Sequence, residues 1–124
     1  MSQTNAIILR IKADRAKEFE RLFKEHQYPN WVKHHRSGGM LRASLTRVAY
    51  GVEEDDATNG GYVNYVVVAV MRDQRAHNAH DNDPAFKRWD AMADEFQVAG
   101  PSVWGGRTLL EIGQPARMRS RRRG

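Results

Sequence analysis

The chain contains no cysteine, which excludes disulfides, thiolate metal sites, iron–sulfur clusters and a cysteine nucleophile. Proline is scarce, at 4 in 124 residues, so no proline-rich recognition tract is present. No apolar run approaches the ~20 residues that a membrane-spanning helix needs. The opening Met1-Ser2-Gln3-Thr4-Asn5 lacks the basic segment of a secretory signal, and the expected compartment is cytoplasmic. Charge of one sign is also missing from the body. The formal net charge is +5, but Arg117, Arg119, Arg121, Arg122 and Arg123 crowd into the last eight residues. Without them basic and acidic residues balance at 15 each. The basic pI therefore belongs to a tail and implies no basic face for specific nucleic-acid recognition.

With 40% hydrophobic and 28% charged residues the composition is that of an ordinary soluble globular chain. Its length suits one domain that buries roughly two-thirds of its unfolded surface. We expect a single domain over residues 1–113 and a loose basic extension over 114–124.

Alternation in Ala6–Ile11 predicts a strand with Ile7, Leu9 and Ile11 on one face. Asp14 is a plausible N-cap for a helix bearing Ala16, Phe19, Leu22, Phe23 and His26, which should stop near Tyr28 because Pro29 follows. Trp31 to His35 fits one further helical turn, closed by Gly38-Gly39. A second strand is expected from Met40 to Gly51, then an acidic, glycine-ended loop from Glu53 to Gly61. Tyr62–Met71 is the strongest strand, apolar on nearly both faces, and belongs in the middle of a sheet. Arg72–Asn82 is polar, and Asp83-Pro84 opens a second long helix with Phe86, Trp89, Met92, Ala93 and Phe96 as its buried stripe. The last strand, Val103–Ile112, is interrupted by Gly105-Gly106.

The order β-α-β-β-α-β predicts an α+β fold: a ferredoxin-like antiparallel sheet with its first and third strands central and both helices on one face. The other face then needs a cover. A second copy of the chain, packed sheet to sheet into an α+β barrel, is the simplest one, so a homodimer is expected.

The length of this unit, the two-sided third strand and the Asp83-Pro84-Ala85-Phe86 helix opening resemble the dimeric α+β barrel proteins over Asn5 to Gly113. That superfamily includes antibiotic-biosynthesis-type monooxygenases, EthD-like and stress-responsive barrel proteins, and haem-degrading monooxygenases. The haem-degrading pattern places an asparagine in the first strand, a tryptophan ending the third and a histidine in the last helix. Asn5 can fill the first position, but the third strand ends in Met71-Arg72 and Pro84–Gln97 holds no histidine. Two of three positions depart, so that branch is set aside.

The resemblance implies a pocket for a small apolar or aromatic ligand between the sheet and its own helices. The segments around it contain Trp31 and all five histidines: His26, His34, His35, His77 and His80. It also implies cofactor-independent oxygenase chemistry, or a related isomerase or decarboxylase. A base, His26 or His80, would deprotonate an activated phenol or enol, and Tyr65 or Arg47 would hold the resulting anion. Trp31, His34 and His77 are further candidate ligand contacts. Each has a plainer reading: His26 as a core histidine, Tyr65 packed in the dimer face, Arg47 reaching solvent from an edge strand. His77 and His80, at i, i+3, lack the companion residues of a known metal motif and read as a polar, solvated turn, so no metal is expected. A non-catalytic ligand-binding or stress-associated dimer has the same sequence features. A weaker third idea is non-specific nucleic-acid binding through the tail.

Overall fold

In the computed structural model, which describes residues 2–113, four strands form one antiparallel sheet. The elements are β1 (Gln3–Lys12), α1 (Ala16–Leu22), α2 (Tyr28–Arg36), β2 (Met40–Arg47), α3 (Glu54–Gly60), β3 (Tyr62–Met71), α4 (Gln74–Asp81), α5 (Pro84–Ala93) and β4 (Ser102–Arg107). The strand order is β2-β3-β1-β4, with the two most apolar strands central as expected. No described helix is long and apolar enough to cross a membrane. The basic extension at 114–124 lies outside the described residues.

Strand register decides which apolar set meets the helices. Ile7, Leu9 and Ile11 of β1 stand beside Val67, Tyr65 and Val63 of β3, and this odd-numbered set packs against Phe19, Phe23, Trp31, Trp89 and Phe96. Tyr65 is thus part of the core and not of a dimer face. The opposite face carries Ala6, Ile8, Val66 and Val68, with Trp104 of β4 beside Ala6. Two devices cover its ends. At one end α3 lies across Asn64 and Arg10: Asn64 Nδ2 donates to Glu54 Oε2 at 3.1 Å, and Arg10 pairs with Glu53 at 3.1 Å. At the other, residues 108–113 run from β4 to the far edge strand. The Thr108 N–H donates to the Ser2 carbonyl at 2.9 Å, and Glu111 pairs with Arg42. That strap crosses the row Thr4–Val70–Arg42, which is why Val70 is buried although it faces away from the helices.

Several sequence expectations shift. Pro29 does not end the helix but sits in the first turn of α2, where its missing N–H costs nothing. The turn before it, Phe23–Gln27, is a π-turn whose i→i+5 pattern relieves the carbonyl against which the proline ring would clash. This wider turn carries the buried face from Phe23 to Gln27, leaving His26 outside. Asp14 makes no cap and lies in a 3-10 turn. The supposed acidic loop contains α3, anchored by buried Ala57 and entered through Glu53 at φ 72°, and the polar 72–82 stretch contains α4, capped by Asp73. β2 ends at Arg47 and β4 at Arg107. β4 runs through Gly105-Gly106 without a break, and at Gly105 a Cβ would stand 2.5 Å from Asn5 Oδ1.

Candidate functional site

Between α1–α2 and the edge strand β2 lies a groove of about 620 Å³. Phe23, Tyr28 and Trp31 line its helical side; Ala43 and Leu45 line its sheet side. The aromatic wall is rigid because Phe23 packs edge-on against both Trp31 and Trp89, at 5.1 and 5.4 Å between ring centroids. A second hollow of about 270 Å³ shares Tyr28, Trp31 and Ala43 and extends the groove towards Met40.

Glu20, Arg47 and Tyr65 also line the groove. Arg47 and Tyr65 are direct cross-strand neighbours on the helix-facing side, which places their polar ends together. Glu20 comes down from α1 beside Phe19, whose ring sits 5.0 Å from that of Tyr65. The Tyr65 hydroxyl donates to Glu20 Oε2, and Arg47 Nη1 donates to the same oxygen at 3.2 Å. Burial, and then the hydrogen bond to Glu20, push the Tyr65 phenol far above its ordinary pKa, outweighing the opposing pull of Arg47. Tyr65 is therefore a neutral hydrogen-bond donor across the physiological range. Both bonds use Oε2, and Oε1 of Glu20 makes no protein hydrogen bond among the described residues.

Of the residues expected from the sequence, the structure brings Trp31, Arg47 and Tyr65 to this groove. His26 lies outside it, its ring parallel to Trp89 at 6.4 Å. His34, His77 and His80 belong to a polar network joining α2, α4 and the start of α5. Buried His80 places Nε2 3.2 Å from Gln27 Nε2 and Nδ1 3.0 Å from Asp81 Oδ1. Nδ1–H therefore donates to Asp81 while Nε2 accepts from Gln27, a tautomer assigned from its partners. Burial lowers the His80 pKa against the pull of Asp81, so the ring is neutral. His77 bonds Asp81 as well, at 3.0 Å, and Gln3 at 3.1 Å. His34 Nε2 lies 2.9 Å from Asp83 Oδ2, which Lys33 also reaches. Among the described residues no three His, Asp or Glu side chains converge to hold a metal ion. His35 borders the smaller hollow, its Nδ1 donating to the Met40 carbonyl at 2.8 Å.

Glu20 was not legible in the sequence. It reads as one more charged residue between Phe19 and Phe23, and its partners stand 27 and 45 residues away.

No family model matches the chain, and no curated protein is detectably similar to it in sequence. Solved structures, in contrast, share its fold across nearly the whole length. A candidate antibiotic biosynthesis monooxygenase from Nitrosomonas europaea is 17% identical, covering 90% of this chain and 94% of that one, with a TM-score of 0.67. Another from Caulobacter crescentus is 18% identical over 88% of this chain and 91% of its own, with a TM-score of 0.71. The cofactor-independent oxygenase SnoaB from Streptomyces nogalater, in mutant form, is 19% identical over 90% and 98%, with a TM-score of 0.59. The fold is the ferredoxin-like fold of these monooxygenase-type structures. At such identities the likeness concerns architecture; chemistry has to be argued from the groove.

Proposed function

We propose that the protein is a homodimeric α+β barrel that holds a small aromatic or enolisable molecule in the α1–α2/β2 groove and acts on it as a cofactor-independent monooxygenase. The observation that carries this reading is the joining of an aromatic slot to a Glu20–Arg47–Tyr65 cluster within one cavity. Phe23, Tyr28 and Trp31 would pack a flat ring system, while the cluster supplies hydrogen-bond donors and a carboxylate for one oxygen function. Ligand deprotonation yields a carbanion that can be oxidised directly by dioxygen, so no bound cofactor is required. The fold shared with a cofactor-independent oxygenase supports this choice over hydrolysis or group transfer.

The dimer rests on the sheet face turned away from the helices. Ala6, Ile8, Val66 and Val68 share this face between α3 and the 108–113 strap. Around it Trp104 is 60% exposed, and Leu109, Leu110 and Ile112 are 79 to 94% exposed. So many large apolar side chains on one face mark an interface. A second copy would present the same face across a two-fold axis.

The test is titration with 2-naphthol and 2-tetralone, followed by tryptophan fluorescence and by dioxygen consumption. Quenching that is lost in Trp31→Phe, together with oxygen uptake, supports an oxygenase. Quenching without uptake identifies a ligand-binding module. Absence of both overturns the groove as a ligand site.

A further inference from the structure

We infer that Glu20 is the proton acceptor of the groove, its Oε1 removing a proton from the carbon beside a ligand carbonyl, and that the class accepted is a neutral, flat, enolisable carbonyl compound. This rests on the groove being the ligand site.

The geometry separates the two oxygens of one carboxylate. Oε2 is committed to Tyr65 and Arg47, whereas Oε1 is uncommitted among the described residues and Glu20 borders the cavity. The two histidines expected as bases do not compete for this task. The basic nitrogen of His80 accepts from Gln27 inside the helical layer, and His26 stacks on Trp89. Tyr65 cannot serve as base either, because its phenol keeps its proton.

The step balances within the site. A C–H bond beside the carbonyl breaks, the proton goes to Oε1, and the electron pair moves to the carbonyl oxygen as an enolate. Negative charge thereby leaves Glu20. The Tyr65 hydroxyl and the Arg47 guanidinium, which had donated to that carboxylate, are then free to donate to the enolate oxygen. Two donors already in place follow the charge from base to product, which is electrostatic preorganisation with little movement. A neutral ligand suits the cluster better than an anion, since Glu20 must be ionised to act. Return of a proton from Glu20 to carbon completes an exchange that needs no oxidant.

Exchange therefore gives a direct test. The full chain in D2O is incubated with 2-tetralone, deuterium uptake beside its carbonyl is followed by NMR, and binding is followed in parallel by tryptophan fluorescence. The wild type should bind and accelerate uptake over buffer. Glu20→Gln, which keeps an oxygen for Tyr65 and Arg47, should bind comparably and lose ~100-fold or more of the acceleration. Should Glu20→Gln not fold, Glu20→Asp sets the base back by one methylene and should lose at least about tenfold. Undiminished exchange in the folded variant overturns the inference. Binding without exchange in the wild type overturns it too, while sparing the groove as a ligand site. No binding and no exchange overturns both.

Discussion

Replacing Trp104 with serine separates association from folding. In the single subunit the indole is 60% exposed on β4, beside Ala6 on the sheet face turned away from the helices. Full burial of a large apolar side chain is worth about 3 kcal/mol, so the uncovered part leaves about 2 kcal/mol for each subunit to gain on association. In the proposed two-fold dimer the residue counts twice, and Trp104→Ser should cost association ~4 kcal/mol, or about 10³-fold in Kd. Serine introduces no charge, so the loss is one of burial alone. Within the subunit the substitution removes little packing, and stability should change by no more than about 1 kcal/mol. Sedimentation equilibrium over a wide concentration range, with urea unfolding beside it, measures the two quantities separately. A dimer of unchanged affinity would refute the assignment of this face, and a wild-type monomer would refute the dimer itself.

Two further predictions concern the polar network. Asp83 caps α5 by accepting from the Ala85 N–H at 2.9 Å, and the Lys33 ammonium, then that backbone N–H and His34, hold its carboxyl well below the usual carboxylate range. Asp83→Asn keeps a capping oxygen and should cost about 1 kcal/mol, because Lys33 is largely exposed; Asp83→Ala also loses the cap, for about 1 kcal/mol more in urea unfolding. Since the native pKa lies below the unfolded value of ~3.9, this stability is present above that pH and lost as pH falls below it. Asp83→Asn should flatten that acid limb, and an unaltered limb would contradict the pairing. His80 has a native pKa lowered by burial, so the unfolded chain takes up its proton first. Its contribution is complete above about pH 6.5 and declines as pH falls below that value. His80→Gln should therefore reduce the fall in Tm between about pH 7 and pH 5.5; an equal fall would place the titrating group elsewhere.

What could be read from the sequence was whatever rests on contiguous pattern. The two central strands announce themselves by apolar density, and Asp83-Pro84 by capping chemistry. The helix α3 could not be read. Its seven residues end in glycine and have poor intrinsic propensity, and what holds it is Ala57 buried against the sheet and Asn64 bonded to Glu54. The π-turn is equally silent, because it answers to Pro29 and to packing rather than to any residue type within it. Missing it moves His26 onto the buried face, where the structure has Gln27. At the site, Trp31, Tyr65 and Arg47 could be nominated as aromatic or polar residues on promising elements. Glu20 acquires meaning only when α1 folds over β2 and β3.

The two apolar surfaces of the molecule lie on opposite sides of one sheet. The groove is on the helix-facing side, open along the edge strand β2, and its aromatic wall continues into the core through Phe23 and Phe19. The other surface, with Ala6, Ile8, Val66 and Val68, is on the far side between α3 and residues 108–113. Sheet-to-sheet association would therefore leave the groove mouth free. It would also stiffen the groove's floor, since β3 presents Tyr65 and Val67 to the helices and Val66 and Val68 to the opposite face. A ligand in the groove and a second subunit would thus bear on alternate residues of the same strand. In the proposed dimer that arrangement would account for β3 being apolar on both faces, with Tyr65 the one residue of its helix-facing row that carries a polar end.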